Sequence, residues 1–593
     1  MTWLILAVLT ACQPVTPVPS PTLLPSPIPS TTTVIPSLTP ISSPTVTPEG
    51  ASISGVVLDQ DGYPISNATV RIKATENKTV SGADGAFTLY GLTSDSPVWV
   101  TAWSEGYYVG WAENVLPDSE PATITLKPYS TTDNPDYTWF SHEGADGSLS
   151  CSHCMPCYEE WSVDAHSQSA VNLRFLTMYN GTDMDGDQSP LTRYGYSRDY
   201  GRFPLRPDPN QPYFGPGYKL DFPNTAGNCA ACHVPGMAAK PGLAYAADPN
   251  LATGVETEGV FCEFCHKIGD VTLNPFTGLP YPNMPGVLSM RLYRPGPEQQ
   301  LFFGNFDDVT RRVSYLPLIE QSAYCASCHF GTFWDTTIYN SFGEWLDSPY
   351  SDPQRAKTAG LSSSKSCQNC HMPPVDYDYF AFPEKGGLIR DSSRIFSHLM
   401  PGASSADLLQ NAVTMSVSAR RDGEQVIVEV TLVNDLTGHH VPTDSPLRQM
   451  ILLVDIRDGQ DKPLVLQDGP TVPEWGGVPK DEVGRLALSE VEGMKDDGYY
   501  AGLPGKGFAK ILMELWTEVS PSGAYWNPTR VVSDNRIPVF GSDCSTYVFG
   551  APAEGPVSID VTLLFRRAFK QLMDQKGWDV ADIVMEQQTA IVP

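Results

Sequence analysis

Cys229-Ala-Ala-Cys232-His233, Cys262-Glu-Phe-Cys265-His266, Cys325-Ala-Ser-Cys328-His329 and Cys367-Gln-Asn-Cys370-His371 repeat one pattern, C-x-x-C-H, between residues 229 and 371. The spacing has a chemical reason. Two thiols three positions apart can reach the two vinyl groups of one haem, and the adjacent His then turns its imidazole onto the iron from the proximal side. A single copy is also compatible with a redox dithiol. A structural zinc site wants four soft or imidazole ligands together, typically as paired CxxC knuckles. Four copies with the His always in the same place point to covalent haem c attachment.

Working outward from the motifs, the chain of 593 residues holds 13 Cys and only 10 His. Removing the four motif histidines leaves His142, His153, His166, His398, His439 and His440 as the supply for distal iron ligands. Four haems with two imidazoles each would need four of these six. Setting aside Cys12 and the eight motif thiols leaves Cys151, Cys154, Cys157 and Cys544. Cys151-Ser-His-Cys154-Met-Pro-Cys157-Tyr158 contains two overlapping CxxC units, neither followed by His. Either a fifth haem attaches here with an unusual proximal ligand such as Met155, or these cysteines pair as disulfides in an oxidising compartment. Four haems is the favoured count, with five as the alternative.

The sequence divides into five parts. Residues 1–12 form a short apolar segment ending in Leu9-Thr10-Ala11-Cys12, a signal-peptide core rather than a membrane span. Residues 13–50 hold 11 of the 54 prolines among Ser, Thr and small aliphatics, which predicts an extended stalk. Residues 51–128 alternate in short runs (Val70, Ile72 and Ala74 on one face, Ile124 and Leu126 likewise), separated by turn signals at Asp61-Gly62, Asp84-Gly85 and Gly91. This predicts a small antiparallel β-sandwich. Residues 129–401 show little periodicity yet carry eleven of the cysteines, as expected of a haem-packed α/coil module that wraps large cofactors. Residues 402–593 return to alternation (Val413, Met415, Val417, Ala419, then Val426 to Leu432, and later Val557 to Phe565). They predict a β-rich domain with helical additions, including a helix from Arg566 to Lys576 stopped by Gly577.

Several strings resemble known families. Leu9-Thr-Ala-Cys12 resembles the bacterial lipoprotein box, which implies acylation of Cys12, although no Lys or Arg precedes the apolar core. ISGVVLDQDGYPISNATVRI followed by SGADGAFTLYGL resembles the carboxypeptidase regulatory-like domain, an accessory module. GYKLDFPNTAGNCAACHVPG, EGVFCEFCHKI, YCASCHFG and SCQNCHMPP resemble the bacterial multihaem c-type cytochromes, including the tetrahaem cytochromes associated with hydroxylamine oxidation. That resemblance covers roughly Ser150 to Ile456. It implies iron cycling between Fe(III) and Fe(II), with electrons hopping between closely spaced haems. It also implies distal-ligand roles. Glu160-Trp161 precedes His166 by the same interval that separates Glu344-Trp345 from Tyr350, so His166 is a distal candidate and the second copy has lost that option. His398 in SHLMPG and either His439 or His440 are the other distal candidates.

The formal charge of −29 argues against a protein that tracks nucleic-acid phosphates, so no nucleic-acid partner is expected. Asp183-Met-Asp185-Gly-Asp187 concentrates hard oxygen ligands and is a weak calcium candidate, with the Gly misplaced for an EF-hand and the closing Glu missing. Gly502-Leu-Pro-Gly505-Lys506-Gly507 lacks the spacing and hydroxyl of a phosphate loop. No catalytic triad can be argued from spacing, and no catalytic residue is assigned. The favoured expectation is an exported cytochrome, anchored to the membrane by lipid and facing the periplasm or cell exterior. It would relay electrons to or from a redox protein or external acceptor. The alternative is a haem oxidoreductase acting on a small nitrogen or sulfur species at an iron with an open axial position. An adhesive or scaffold lipoprotein would leave the four motifs unused. Oligomerisation is left open.

Overall fold

A computed structural model describes residues 50–139, 147–152, 155–297, 299–480 and 486–593. The expected acylation site Cys12, the stalk up to residue 49, and His142, His153 and Cys154 lie outside the described residues. No helix among the described residues is long and apolar enough to cross a membrane.

The N-terminal sandwich is built from β1 (Ala51–Asp59), β2 (Thr69–Ile72), β3 (Lys78–Val80), β4 (Ala86–Leu92), β5 (Val98–Trp103), β6 (Gly110–Val115) and β7 (Ala122–Leu126). One sheet has the order β4-β1-β7 and the other β3-β2-β5-β6. Alternate residues Ile53, Val57, Val70, Phe87, Leu89, Val100, Ile124 and Leu126 meet between them as a closed apolar core. Two expectations need correction. The sandwich is not wholly antiparallel, because β7 returns through the other sheet and pairs parallel to β1, from Gly55↔Ala122 to Asp59↔Leu126. Ala74 does not continue the Val70–Ile72 face, because the strand ends at Ile72 and Ala74 sits in a turn with φ 63°.

This sandwich is docked onto the central segment by buried polar contacts. Arg71 pairs with Asp307 at 2.9 Å, and the backbone N–H of Ala74 donates at 2.7 Å to Asp308, whose carboxylate is held within the central segment by Arg390 at 2.8 Å. The Val109 N–H donates to the Val313 carbonyl at 3.0 Å. Pairs this buried contribute less by their presence than they would cost if half-broken, about 3–5 kcal/mol, so they fix the docking register.

The central segment consists of short helices of four to eight residues, short 3₁₀ turns and two-stranded ribbons such as 268–271 with 290–292 and 331–333 with 336–339. Its largest apolar cluster is aromatic: Trp139, Trp161, Phe261, Phe264, Phe330 and Phe342.

The C-terminal domain is a second sandwich. A four-stranded sheet (414–422, 425–433, 542–550, 466–468 in spatial order) faces a five-stranded one (529–534, 505–514, 449–458, 557–566, 583–592). The two alternating runs pair as a hairpin, with Asp422↔Gln425 closing a turn at Gly423. The final helix runs only from Lys570 to Lys576, with Gly577 at φ 64° as its C-cap. It does not begin at Arg566, because Arg566 remains in the ladder opposite Gln449 and its buried guanidinium pairs with Asp582 at 2.6 Å. The loop from this domain that carries His439 and His440, after the strand 425–433, reaches the central segment.

Candidate metal centres

Each C-x-x-C-H forms one helical turn: Ala230–His233, Cys262–Cys265, Ala326–His329 and Cys367–His371. The His233 N–H donates to the Cys229 carbonyl at 3.1 Å and the His266 N–H to that of Cys262 at 3.0 Å. One turn places residues i and i+3 on the same face, so both thiols point the same way and the imidazole follows directly.

The ring nitrogens show a consistent division of labour. His233 Nδ1 meets the Ser169 carbonyl at 3.3 Å, His266 Nδ1 that of Phe303 at 2.5 Å, and His371 Nδ1 that of Pro401 at 2.7 Å. His329 Nδ1 lies 3.8 Å from the Asp444 carboxylate. Outside the motifs, His166 Nδ1 meets Asp164 at 2.6 Å, His398 Nδ1 the Phe396 carbonyl at 3.0 Å, and His439 Nδ1 that of His440 at 3.0 Å. A metal-ligating histidine usually gives one ring N–H to a nearby acceptor and leaves the other nitrogen for the metal.

These imidazoles come in pairs. His266 and His398 have ring centroids 6.4 Å apart and planes within 23°; His371 and His439 are 6.3 Å apart and within 19°; His329 and His166 are 6.1 Å apart at 63°. Two metal–imidazole bonds of about 2.0–2.1 Å, placed end to end and extended by the radius of each ring, put two trans imidazole centroids about 6.3 Å apart. The spacing therefore fits one iron between each pair, and rotation about the shared axis leaves the interplanar angle free. Burial holds His233 and His266 down to about 4 and lowers His371, His398 and His439, so these rings are neutral, as a ligand must be. His329 differs. Burial opposes its charge, but the Asp444 carboxylate outweighs that and lifts it to about 9.

The expected distal residues thus separate. His166, His398 and His439 each face a motif histidine. His440 faces none; its Nδ1 is buried without a hydrogen bond, 3.6 Å from Glu344. His233 meets Phe175 instead of a histidine among the described residues, the two rings lying parallel at 3.8 Å. Tyr350 packs against Phe540. Asp183, Asp185 and Asp187 do not converge. Asp183 spends one oxygen on the backbone N–H groups of Asp185 and Asp187, at 3.0 and 2.9 Å, and among the described residues no three His, Cys, Asp or Glu side chains are grouped to hold an ion. Of the leftover cysteines, Cys151 and Cys157 are free thiols and Cys544 is disulfide-bonded.

Sequence reasoning missed what holds the segments carrying His398 and His439–His440 in place. Glu160 accepts the His398 N–H at 2.6 Å and the Ser397 hydroxyl at 3.1 Å; Glu344 accepts the His440 N–H at 3.1 Å and the Thr443 hydroxyl at 2.5 Å. The available signal was the repeated Glu-Trp dipeptide. The motifs also touch one another. The thiols of Cys232 and Cys328 are close neighbours, as are those of Cys325 and Cys367, so the third motif joins the first to the fourth. The Tyr324 hydroxyl donates to the Cys265 carbonyl at 2.5 Å, tying the second motif to the third.

Residues 52–127 match the carboxypeptidase regulatory-like domain. No curated protein matches the chain. Among solved structures, a penta-haem cytochrome c552 from Thermochromatium tepidum is similar over 75% of this chain and 98% of its own length, at 16% identity and a TM-score of 0.46. A type II cohesin–X-dockerin complex from Acetivibrio cellulolyticus is similar over 13% of this chain and 52% of its own, at 18% identity and a TM-score of 0.11. The regulatory-like domain contributes no residue to the histidine pairs.

Proposed function

We propose that the chain is a multihaem c-type cytochrome that relays electrons through covalently attached haems to or from a redox partner or external acceptor. The observation that carries this reading is the set of three histidine pairs, each joining one C-x-x-C-H imidazole to an imidazole from a distant segment at a separation that fits a shared iron. Cys229/Cys232, Cys262/Cys265, Cys325/Cys328 and Cys367/Cys370 would hold the four haems, with His233, His266, His329 and His371 as proximal ligands. The haems would supply one-electron Fe(III)/Fe(II) chemistry. The protein's part is to keep the ligand rings neutral, orient them through Nδ1 acceptors, and set neighbouring motifs side by side. We place the protein outside the cytoplasm, acylated at Cys12 and carried on the Pro-rich stalk, a reading that rests on the lipoprotein-like sequence alone.

The test is an electron paramagnetic resonance spectrum of the purified protein together with a haem-iron count. Low-spin signals from His166-, His398- and His439-ligated iron are expected. A preparation without covalent haem would sink the reading. In the second reading, an open axial position for a small nitrogen or sulfur species would belong to the His233 centre, the one motif histidine without an imidazole partner among the described residues, provided that neither His142 nor His153 reaches it. Cyanide-induced change confined to one high-spin haem would support that role, and its loss in His233→Ala would assign it.

A further inference from the structure

The chain carries a formal charge of −29, yet three arginines from distant segments, Arg174, Arg448 and Arg567, come together beside the first and third motifs. Two of them flank one rung of the C-terminal sheet. Gln449 and Arg566 form the end pair of the antiparallel strands 449–458 and 557–566, so Arg448 and Arg567 stand on the two chains just beyond it. Arg174 comes from the helix Leu173–Asn180. It shares a helix face with Met178, four positions on, and Met178 packs in one apolar cluster with Leu447 and Ala568, the chain neighbours of the other two arginines. All three arginines are half-buried. Their charges oppose one another: burial, then Arg174 and Arg448, hold Arg567 down to about 10, and burial followed by Arg448 lowers Arg174.

The chain's own carboxylates do not balance this cluster. Among the described residues neither Arg174 nor Arg567 makes a side-chain hydrogen bond or ion pair, and Arg567 Nε is buried without a partner. Arg448 donates to the Thr443 carbonyl at 3.2 Å and lies 3.7 Å from Asp444. Asp444 is already shared, because it lies 3.8 Å from His329 Nδ1 and accepts the Ser341 hydroxyl at 3.4 Å. One divided carboxylate thus serves three guanidiniums. Like charges brought together across neighbouring strands are destabilising, and a buried guanidinium group left unpaired costs more than a paired one contributes. The cluster calls for an anion. A guanidinium fork suits a carboxylate best, offering two N–H donors to its two oxygens.

Position says which carboxylates are at hand. Arg174 is followed by Phe175, whose ring lies parallel to that of His233 at 3.8 Å. Tyr525 lies within electrostatic reach of both Cys229 and Arg448. Besides the vinyl groups that the cysteines would take, haem carries propionate carboxylates. We propose that Arg174, Arg448 and Arg567 form a carboxylate-binding site that holds the propionates of the haem attached at Cys229 and Cys232. The inference rests on the multihaem reading and adds three residues to it that no C-x-x-C-H motif contains. The same donors suit a small free oxyanion, and the two sources differ in whether the haem reports a change at the site. Arginine beside a propionate also acts on the iron, because positive charge nearby favours Fe(II), which carries one charge fewer than Fe(III).

The experiment compares the full-length haem-loaded protein with its Arg174→Met, Arg567→Met and Arg567→Lys variants. The readouts are the propionate bands in resonance Raman spectra, a potentiometric titration of the haems, and calorimetry with sulfate and acetate. Arg174→Met and Arg567→Met are expected to shift the same propionate band and to lower the potential of one redox wave. Arg567→Lys keeps the charge and loses the fork, so it shifts the band and leaves that wave near its natural potential, a split that a packing role would not produce. Sulfate and acetate should not bind the natural protein. Their binding to it, lost in Arg567→Met while bands and potentials stay unchanged, would overturn the propionates as occupants and assign the arginines to a free oxyanion. No band shift and no anion binding would overturn the site itself. A chain without covalent haem would remove the multihaem reading, a separate outcome, and calorimetry would still show whether the arginines take an anion. Each Arg→Met change removes one of three like charges, and the Arg174 and Arg567 variants alter different elements, so a folding failure in one leaves the other to decide.

Discussion

The regulatory-like domain and the central segment solve the folding problem in opposite ways. In residues 51–128, Val57, Val70, Val100, Ile124 and Leu126 are fully buried, and strand alternation alone closes the core. In residues 129–401 the helices are short, four to eight residues among the described ones, and what the segment arranges is chemistry: half-buried imidazoles and thiols, and carbonyls aimed at Nδ1 atoms. A side-chain core can form without help. On the proposed reading, a set of paired imidazoles and clustered thiols would gain its cohesion from the haems it binds, because ligand binding free energy is then folding free energy. The comparison teaches that the two regions should fail separately.

The largest expected effect follows directly. In limited proteolysis of the chain made without haem attachment, residues 51–128 should survive as a resistant fragment while the central segment is cut throughout. Equal resistance of both regions would show that the central segment needs no cofactor to fold. In the other direction, Phe87→Ala in the sandwich core should cost about 3–5 kcal/mol of that domain's stability. It should leave the haem absorption spectrum unchanged. A spectral shift would mean that the docking through Arg71–Asp307 couples the regions more tightly than the contacts suggest.

The same contrast explains what the sequence discloses. The C-x-x-C-H turns are legible because local spacing carries all of their chemistry, and the sandwich strands because alternation does. The parallel β1–β7 pair is not, since no local pattern records which strand the chain returns to. Arg566 looks like the start of a helix because Lys570–Lys576 follows it, yet the ladder partner Gln449 lies far upstream and decides otherwise. Glu160 and Glu344 read as exposed helix carboxylates, and only the fold brings them to segments hundreds of positions or nearly a hundred positions away.

Those two glutamates sharpen the comparison within the central segment. Glu344 is buried and also pairs with Arg536 at 2.7 Å, a guanidinium that Asp534 holds as well at 2.7 Å, so Glu344→Ala removes one of the two carboxylates of a buried cluster and should cost about 3 kcal/mol. Glu160 has no such ion pair among the described residues; Glu160→Ala removes hydrogen bonds to the His398 N–H and the Ser397 hydroxyl, about 1–3 kcal/mol. Both variants should convert part of one haem from low to high spin as the distal histidine loses its fixed position. The measurement is the ratio of those signals, with Glu→Gln as the conservative control that retains an acceptor oxygen. Loss of stability with unchanged spin states would reduce both residues to packing.

The smallest effect distinguishes two adjacent histidines. His439 faces His371 across a gap that fits an iron, with Nδ1 directed to the His440 carbonyl. His440 offers its backbone N–H to Glu344 and its carbonyl to His439, both of which survive truncation of its side chain, and its Nδ1 already lacks a hydrogen bond. His440→Ala should therefore change stability by no more than about 1 kcal/mol and leave every low-spin signal in place. His439→Ala should abolish one of them. If the two variants behaved alike, or if the order were reversed, the pairing of the fourth motif with this loop would be wrong. The C-terminal domain would then contribute support to the haem array without contributing a ligand. The adjacent positions make this a sensitive comparison, because burial, loop and neighbours are nearly shared and only the direction of the imidazole differs.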